Sequence, residues 1–195
     1  MSSTVPISDK LMKKRITTNI LQNGYSEDMA LIVSNLYDYM RQKKLFGCCH
    51  AFSSVLYVAL TESGYNPVLY IGECQTDETN QYDHSWITID EKIIDLAIYM
   101  PLTQKINSVT GPIVLDTDMV TMKKYNSTYG INTGLPFSSE TQQVIRLPFV
   151  QYMDAFPFEK NGLWGAYSLV VPLHLQKDMQ YLKQKYAAVK RTLIR

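Results

Sequence analysis

Between Gly47 and Asp95 the chain sets out a cysteine, a histidine and an aspartate in that order. These are the nucleophile, the base and the orienting group that acyl transfer needs. The cysteine belongs to a pair, Cys48-Cys49, just after Gly47 at the predicted start of a helix; His84 opens a strand and Asp95 closes the next one. A thiol becomes a strong nucleophile when a helix N-terminus and a neighbouring imidazolium stabilise its thiolate. Cys49 is predicted in the first turn, where unpaired N–H groups also help to hold an oxyanion. A free cysteine more often simply packs in a core, so the weight falls on the downstream residues.

Ser85 to Ile89 reads as a strand, Asp90-Glu91 as a turn and Lys92 to Asp95 as the partner strand. With a two-residue loop, Ile89 pairs with Lys92 and Trp86 with Asp95. His84 and Asp95 then share a face, diagonally related and within side-chain reach. There the carboxylate would hold the ring tautomer and support the imidazolium. Asp83 adjoins His84 but points to the opposite face, and Asp90 lies six residues along, roughly 20 Å away. Trp86 shares the histidine's face and, with Cys48, is a candidate wall of the cleft. Cys48, His50 and Cys74 have neither C-x-x-C nor H-x-x-x-H spacing, so no metal and no cofactor is expected. His50 reads as a polar residue near the helix start.

Positioning these groups falls to the flanking elements. Ser8 and Ser26 are predicted caps of two helices, one to about residue 22 and ended by Asn23-Gly24, the next carrying Met29, Ile32, Val33, Leu36, Tyr37 and Met40 on one face. A third helix is predicted over about 48–63, with Phe52, Val55, Leu56, Ala59 and Leu60 as its stripe and Gly64 as its stop. Val68 to Ile71 reads as a strand and Gln75 to Tyr82 as a loop. Ile113 to Leu115 reads as a short strand, and Asp116 to Lys124 as the start of a helix. Residues 126–139, rich in Gly, Asn, Ser and Thr, predict a long loop over the site. Ala166 to Val171 reads as a last strand. A terminal helix is expected over about 173–192, striped by Leu175, Met179, Leu182, Tyr186 and Val189, with Leu193 continuing the spacing, and offering a route to an oligomer.

A chain of 195 residues suits one domain, 1–195, and 46% apolar against 19% charged residues is a globular balance. A net charge of +1 predicts neither a nucleic-acid nor a membrane partner. The opening MSSTVPISDKLMKKRI has no apolar run of signal-peptide kind, and no stretch reaches the ~18 apolar residues of a membrane span. With three cysteines, two adjacent, thiols rather than disulfides are expected, and a cytoplasmic setting with them.

The segment Gly47-Cys48-Cys49-His50-Ala51-Phe52, followed by Gly64, His84-Ser85-Trp86 and Asp95, resembles the bacterial transglutaminase-like superfamily, relatives of the papain fold. Its pattern is G-x-C-x-x-F/Y opening a helix, an H-x-W strand and a strand ending in Asp. The short hairpin also looks like that of the lasso-peptide maturation proteases. The resemblance covers about fifty of the 195 residues. It implies an α+β papain/transglutaminase-like domain, with N-terminal helices packed on an antiparallel sheet and a core at 47–95. It selects Cys49, two after the glycine, over Cys48. It departs from the pattern at Ala51, where a polar residue often stands. The implied activity is hydrolysis or transamidation of a peptide or protein substrate through a thioacyl-enzyme formed by Cys49, His84 and Asp95. Gln42 lies upstream of the cysteine, as the oxyanion glutamine does in papain-type proteases, but its helix predicts an exposed residue. Two alternatives are a catalytically silent binding module of the same fold and an arylamine N-acetyltransferase-like enzyme. The latter's arginine-glycine run is replaced here by Lys43-Lys44-Leu45-Phe46-Gly47.

Overall fold

The computed structural model describes residues 7–77, 80–102 and 110–194. Three helices come first, and local chemistry accounts for their ends. In α1 (Asp9–Gln22) the Ser8 hydroxyl accepts from the Leu11 N–H at 3.3 Å, and in α2 (Glu27–Lys43) Ser26 does the same for Met29 at 3.2 Å. Glu27 and Asp28 lie at the positive end of the α2 dipole and Arg41 and Lys43 at its negative end. α3 (Cys49–Glu62) is buried nearly all round, from Ala51 and Phe52 to Val58 and Leu60. It packs on α2, on the sheet and on a later helix, α6 (Leu163–Val170).

The strands are β1 (Val68–Asp77), β2 (Asn80–Ile89), β3 (Lys92–Asp95), β4 (Ile113–Val114), β5 (Thr117–Asp118), β6 (Lys123–Lys124), β7 (Thr128–Ile131) and β8 (Thr192–Leu193). Their order is β6-β5-β4-β3-β2-β1-β7, with β8 also on β1. Every pair is antiparallel except β1–β8, which is parallel, so the expected antiparallel sheet is a mixed one. Period-two alternation gives the sheet two apolar faces. Leu69, Ile87, Ile89 and Ile94 join the core with the helices, while Trp86, Ile93 and Ile113 form a second cluster with Cys74 and Ile98. The fold is thus α+β, helices against a sheet.

Past β3 the expectations fare less well. Asp116 to Lys124 carries β5 and β6, not a helix. Leu115 (φ 50°) and Asp116 (φ 64°) turn the chain through the left-handed pair of conformations that a two-residue hairpin needs. The loop expected over 75–82 is mostly strand: β1 runs to Asp77 and β2 starts at Asn80. Within 126–139 lies β7, which pairs with β1 at the end of the strand order. Two further helices follow it, α4 (Ser139–Arg146) and α5 (Phe149–Asp154). Ala166 to Val170 is helical, with Val171 as its extended C-cap, because the apolar run belongs to the 3.6 period of Leu163, Trp164, Tyr167 and Val170, all buried. The terminal helix is broken into a 3-10 turn (Leu173–Leu175), α7 (Met179–Lys185) and β8. The Asp178 side chain caps a new helix start, accepting from the Gln180 and Tyr181 N–H groups. Leu182 and Tyr186 of its stripe lie in the protein's own core, and Lys183 and Lys185 pair with Asp154 and Glu62. Among the described residues no helix is long and apolar enough to cross a membrane.

Candidate active site

The Gly47 backbone has φ +65°, its N–H donates to the Met100 carbonyl at 2.9 Å, and a Cβ there would lie 2.8 Å from the Leu102 Cβ. Glycine is what this turn into α3 requires. Cys48 is the N-cap residue and makes no side-chain cap; its sulfur turns back to the Phe46 carbonyl at 3.4 Å. Cys49 is the first helical residue, only 9% exposed, at the end of α3 where N–H groups lack helical partners.

The β2–β3 hairpin has the expected two-residue turn. Ile89 pairs with Lys92, Thr88 with Ile93 and Ile87 with Ile94, and Asp90 (φ 49°) and Glu91 (φ 63°) are both left-handed. His84 and Asp95 accordingly share a face, and the His84 Nε2 lies 2.6 Å from an Asp95 carboxylate oxygen. Both side chains are almost wholly buried. The other Asp95 oxygen accepts from the Ala97 and Ile98 N–H groups, each at 3.1 Å, and the Tyr129 hydroxyl adds a fourth bond at 2.8 Å. A buried carboxylate with four donors is held rigidly.

Cys49 completes the chain: its sulfur lies close enough to the His84 ring to act on the ring's charge. With Nε2 committed to Asp95, the other ring nitrogen, Nδ1, is the one left for the thiol. Burial disfavours a charged His84, but the Asp95 carboxylate and Cys49 outweigh it and raise the ring to about 10. The other thiols are suited to packing. Burial, then proximity to Cys49, pushes Cys48 up to about 11, and burial pushes the fully enclosed Cys74 higher still.

The competing residues have other partners. Asp83 accepts from the Ser138 N–H at 2.7 Å, Asp90 accepts from the Tyr25 hydroxyl at 2.8 Å, and Gln42 is exposed. Cys48 and Trp86, the candidate cleft walls, are placed differently. Trp86 is a core ring, stacked on Tyr70 at 5.5 Å and tilted on Tyr129 at 4.8 Å, and Cys48 turns back to its own loop. Trp86 therefore braces Tyr129 behind Asp95. Among the described residues no three His, Cys, Asp or Glu side chains are grouped to hold a metal ion.

Compared with protein-family models, curated protein sequences and solved structures, the chain matches none of them.

Three features of the site had no signal in the sequence. Tyr129 and Tyr82 flank the His84 ring, at 6.3 and 5.4 Å between centroids. His50 is a part-buried strut: its Nδ1 lies 2.6 Å from the Ser85 hydroxyl and its Nε2 3.1 Å from that of Thr141 on α4. Burial, then the charges of His84 and Arg191, lower His50 to about 4, so it stays neutral at neutral pH. Tyr152 on α5 packs against the core that includes Cys49, and Arg191 at the approach to β8 stacks on Tyr152.

Proposed function

We propose that the protein is a cysteine-dependent acyl-transfer enzyme of papain/transglutaminase-like type, acting on the amide bonds of peptides or proteins by hydrolysis or transamidation. The observation that carries this reading is the buried, continuous series Asp95–His84–Cys49, with its sulfur at the start of a helix. His84 draws the Cys49 proton, giving a thiolate–imidazolium pair that the Asp95 charge stabilises. The thiolate attacks the carbonyl carbon, and the N–H groups at the start of α3 donate hydrogen bonds to the developing oxyanion. Collapse breaks the C–N bond as His84 protonates the departing amine, leaving a thioacyl-enzyme. Water or a second amine, deprotonated by His84, then attacks that carbonyl and restores the thiol. A cytoplasmic setting, where thiols stay reduced, suits the three free cysteines.

Alkylation by iodoacetamide over a range of pH, followed by peptide mapping, tests the reading. Cys49 should be modified well below pH 8, at least about tenfold faster than Cys48 and Cys74, and a His84→Ala variant should lose that selectivity. Slow labelling of Cys49 with an ordinary midpoint near ~8.5 would overturn the enzyme and leave a silent binding module.

A further inference from the structure

The two oxygens of Asp95 serve different donors. Oδ1 accepts from the Ala97 and Ile98 N–H groups, each at 3.1 Å, which ties that half of the carboxylate to the backbone just after β3. Oδ2 accepts from the His84 ring at Nε2, 2.6 Å away, and also from the Tyr129 hydroxyl at 2.8 Å. The oxygen that supports the base is therefore shared with a second donor. A carboxylate oxygen that already bonds a phenol has less charge to offer an imidazolium. The backbone bonds to Oδ1 suffice to orient the group, so the Tyr129 bond acts mainly on the charge that His84 meets.

The sheet aims the hydroxyl at this oxygen. Tyr129 on β7 pairs with Cys74 on β1, and Cys74 pairs with Tyr82 on β2. Paired residues share a face, and His84 lies two residues beyond Tyr82, so Tyr129 stands on the histidine's face. Its ring is tilted on Trp86 at 4.8 Å and meets Tyr125 edge-on at 5.8 Å, which restricts where the hydroxyl can point. Burial, then the Asp95 charge, hold the phenol well above its ordinary value, so it keeps its proton and donates. The other titratable groups around His84 are Cys49 and His50 on α3, Tyr82 on β2 and Cys74 on β1. Burial, the largest cause in each case, keeps Cys74 and Tyr82 protonated and His50 uncharged at neutral pH.

We propose that Tyr129 is a positioning residue that limits the basicity of His84, acting through the Asp95 oxygen it shares with the ring. This rests on the acyl-transfer reading above, in which His84 is the base for Cys49. Without the hydroxyl, Oδ2 serves His84 alone, the imidazolium is better stabilised, and the Cys49 thiolate forms at lower pH. The pH dependence of iodoacetamide alkylation at Cys49 in the full chain reads this out; the step forms an S–C bond and expels iodide. Tyr129→Phe should move the acid limb of the rate profile about one pH unit lower, part of the effect of a hydrogen bond to a charged group. Site-specific 3-fluorotyrosine at position 129, whose hydroxyl is a stronger donor, should move it upward. A packing role alone would change the rate at every pH together and leave the midpoint in place. An unmoved or raised midpoint in Tyr129→Phe overturns the inference. If that variant does not fold, an unmoved or lowered midpoint with 3-fluorotyrosine overturns it instead. Failure of the underlying reading looks different: wild-type Cys49 would then titrate near ~8.5 like an ordinary thiol, which removes both readings before any variant is made.

Discussion

At the scale of single residues, the site depends on how charge is kept in a dry place. Asp95 is bonded by two backbone N–H groups, the Tyr129 hydroxyl and the His84 ring, so its charge is met from every side. Tyr129→Phe removes one of those donors without changing the ring. The expected cost is about 1–2 kcal/mol of stability, read from the urea midpoint, because a buried carboxylate loses a partner. An unchanged midpoint would show that Tyr129 merely fills space. Neighbouring cysteines are distinguished in the same way. Cys48 and Cys49 are adjacent in sequence, yet one faces its own loop carbonyl and the other faces an imidazole. Only the second stands beside an imidazole.

At the scale of elements, the site is a meeting of one helix start and one hairpin, held by the chain's last strand. Gly72 on β1 pairs with His84 on β2, and a Cβ at Gly72 would lie 2.8 Å from the Ile194 carbonyl oxygen and 3.0 Å from the Trp86 ring. Those contacts let the segment after β8 cross β1 close to the ring that braces Tyr129. Gly72→Ala forces one of them to give way. The expected destabilisation is about 1–3 kcal/mol by urea unfolding, together with slower iodoacetamide labelling of Cys49. Full retention of both would mean that β8 and Trp86 yield without consequence for the hairpin. The hairpin itself was legible in the sequence, since alternation and a two-residue turn determine which side chains share a face. Most elements after Val114 were not, α7 inside the expected terminal helix excepted. The run at Ala166 to Val171 suits a strand or a buried helix equally well, and only packing against α3 settles it.

At the scale of the molecule, the buried His84 and the part-buried His50 make stability depend on pH in opposite senses. His50 is lowered from 6.5 to about 4, so the unfolded chain binds its proton more readily. Its contribution is present above about pH 6.5 and is lost as pH falls through about 4. His84 is raised from 6.5 to about 10, so its contribution is present below about 6.5 and is lost as pH rises through about 10. Together they predict greatest stability near pH 6.5, with urea midpoints falling on both sides. His50→Gln should weaken the acid-side fall and His84→Gln the alkaline one. A midpoint that climbs from pH 7 to pH 9.5 in the wild type would contradict the raised His84.

What could be read from residue order alone is whatever neighbours along the chain settle. Ser8 and Ser26 cap their own helices, apolar spacing marks the stripes of α1 to α3, and the Asp90-Glu91 turn puts His84 and Asp95 on one face. What needed the folded chain is every contact made across long stretches of sequence. The sulfur of Cys49 meets a ring 35 positions on, Tyr129 reaches Asp95 across 34, and Arg191 reaches Val144 across 47. Such contacts have no local signature, because their free energy comes from packing the whole core and is shared among all the residues that build it.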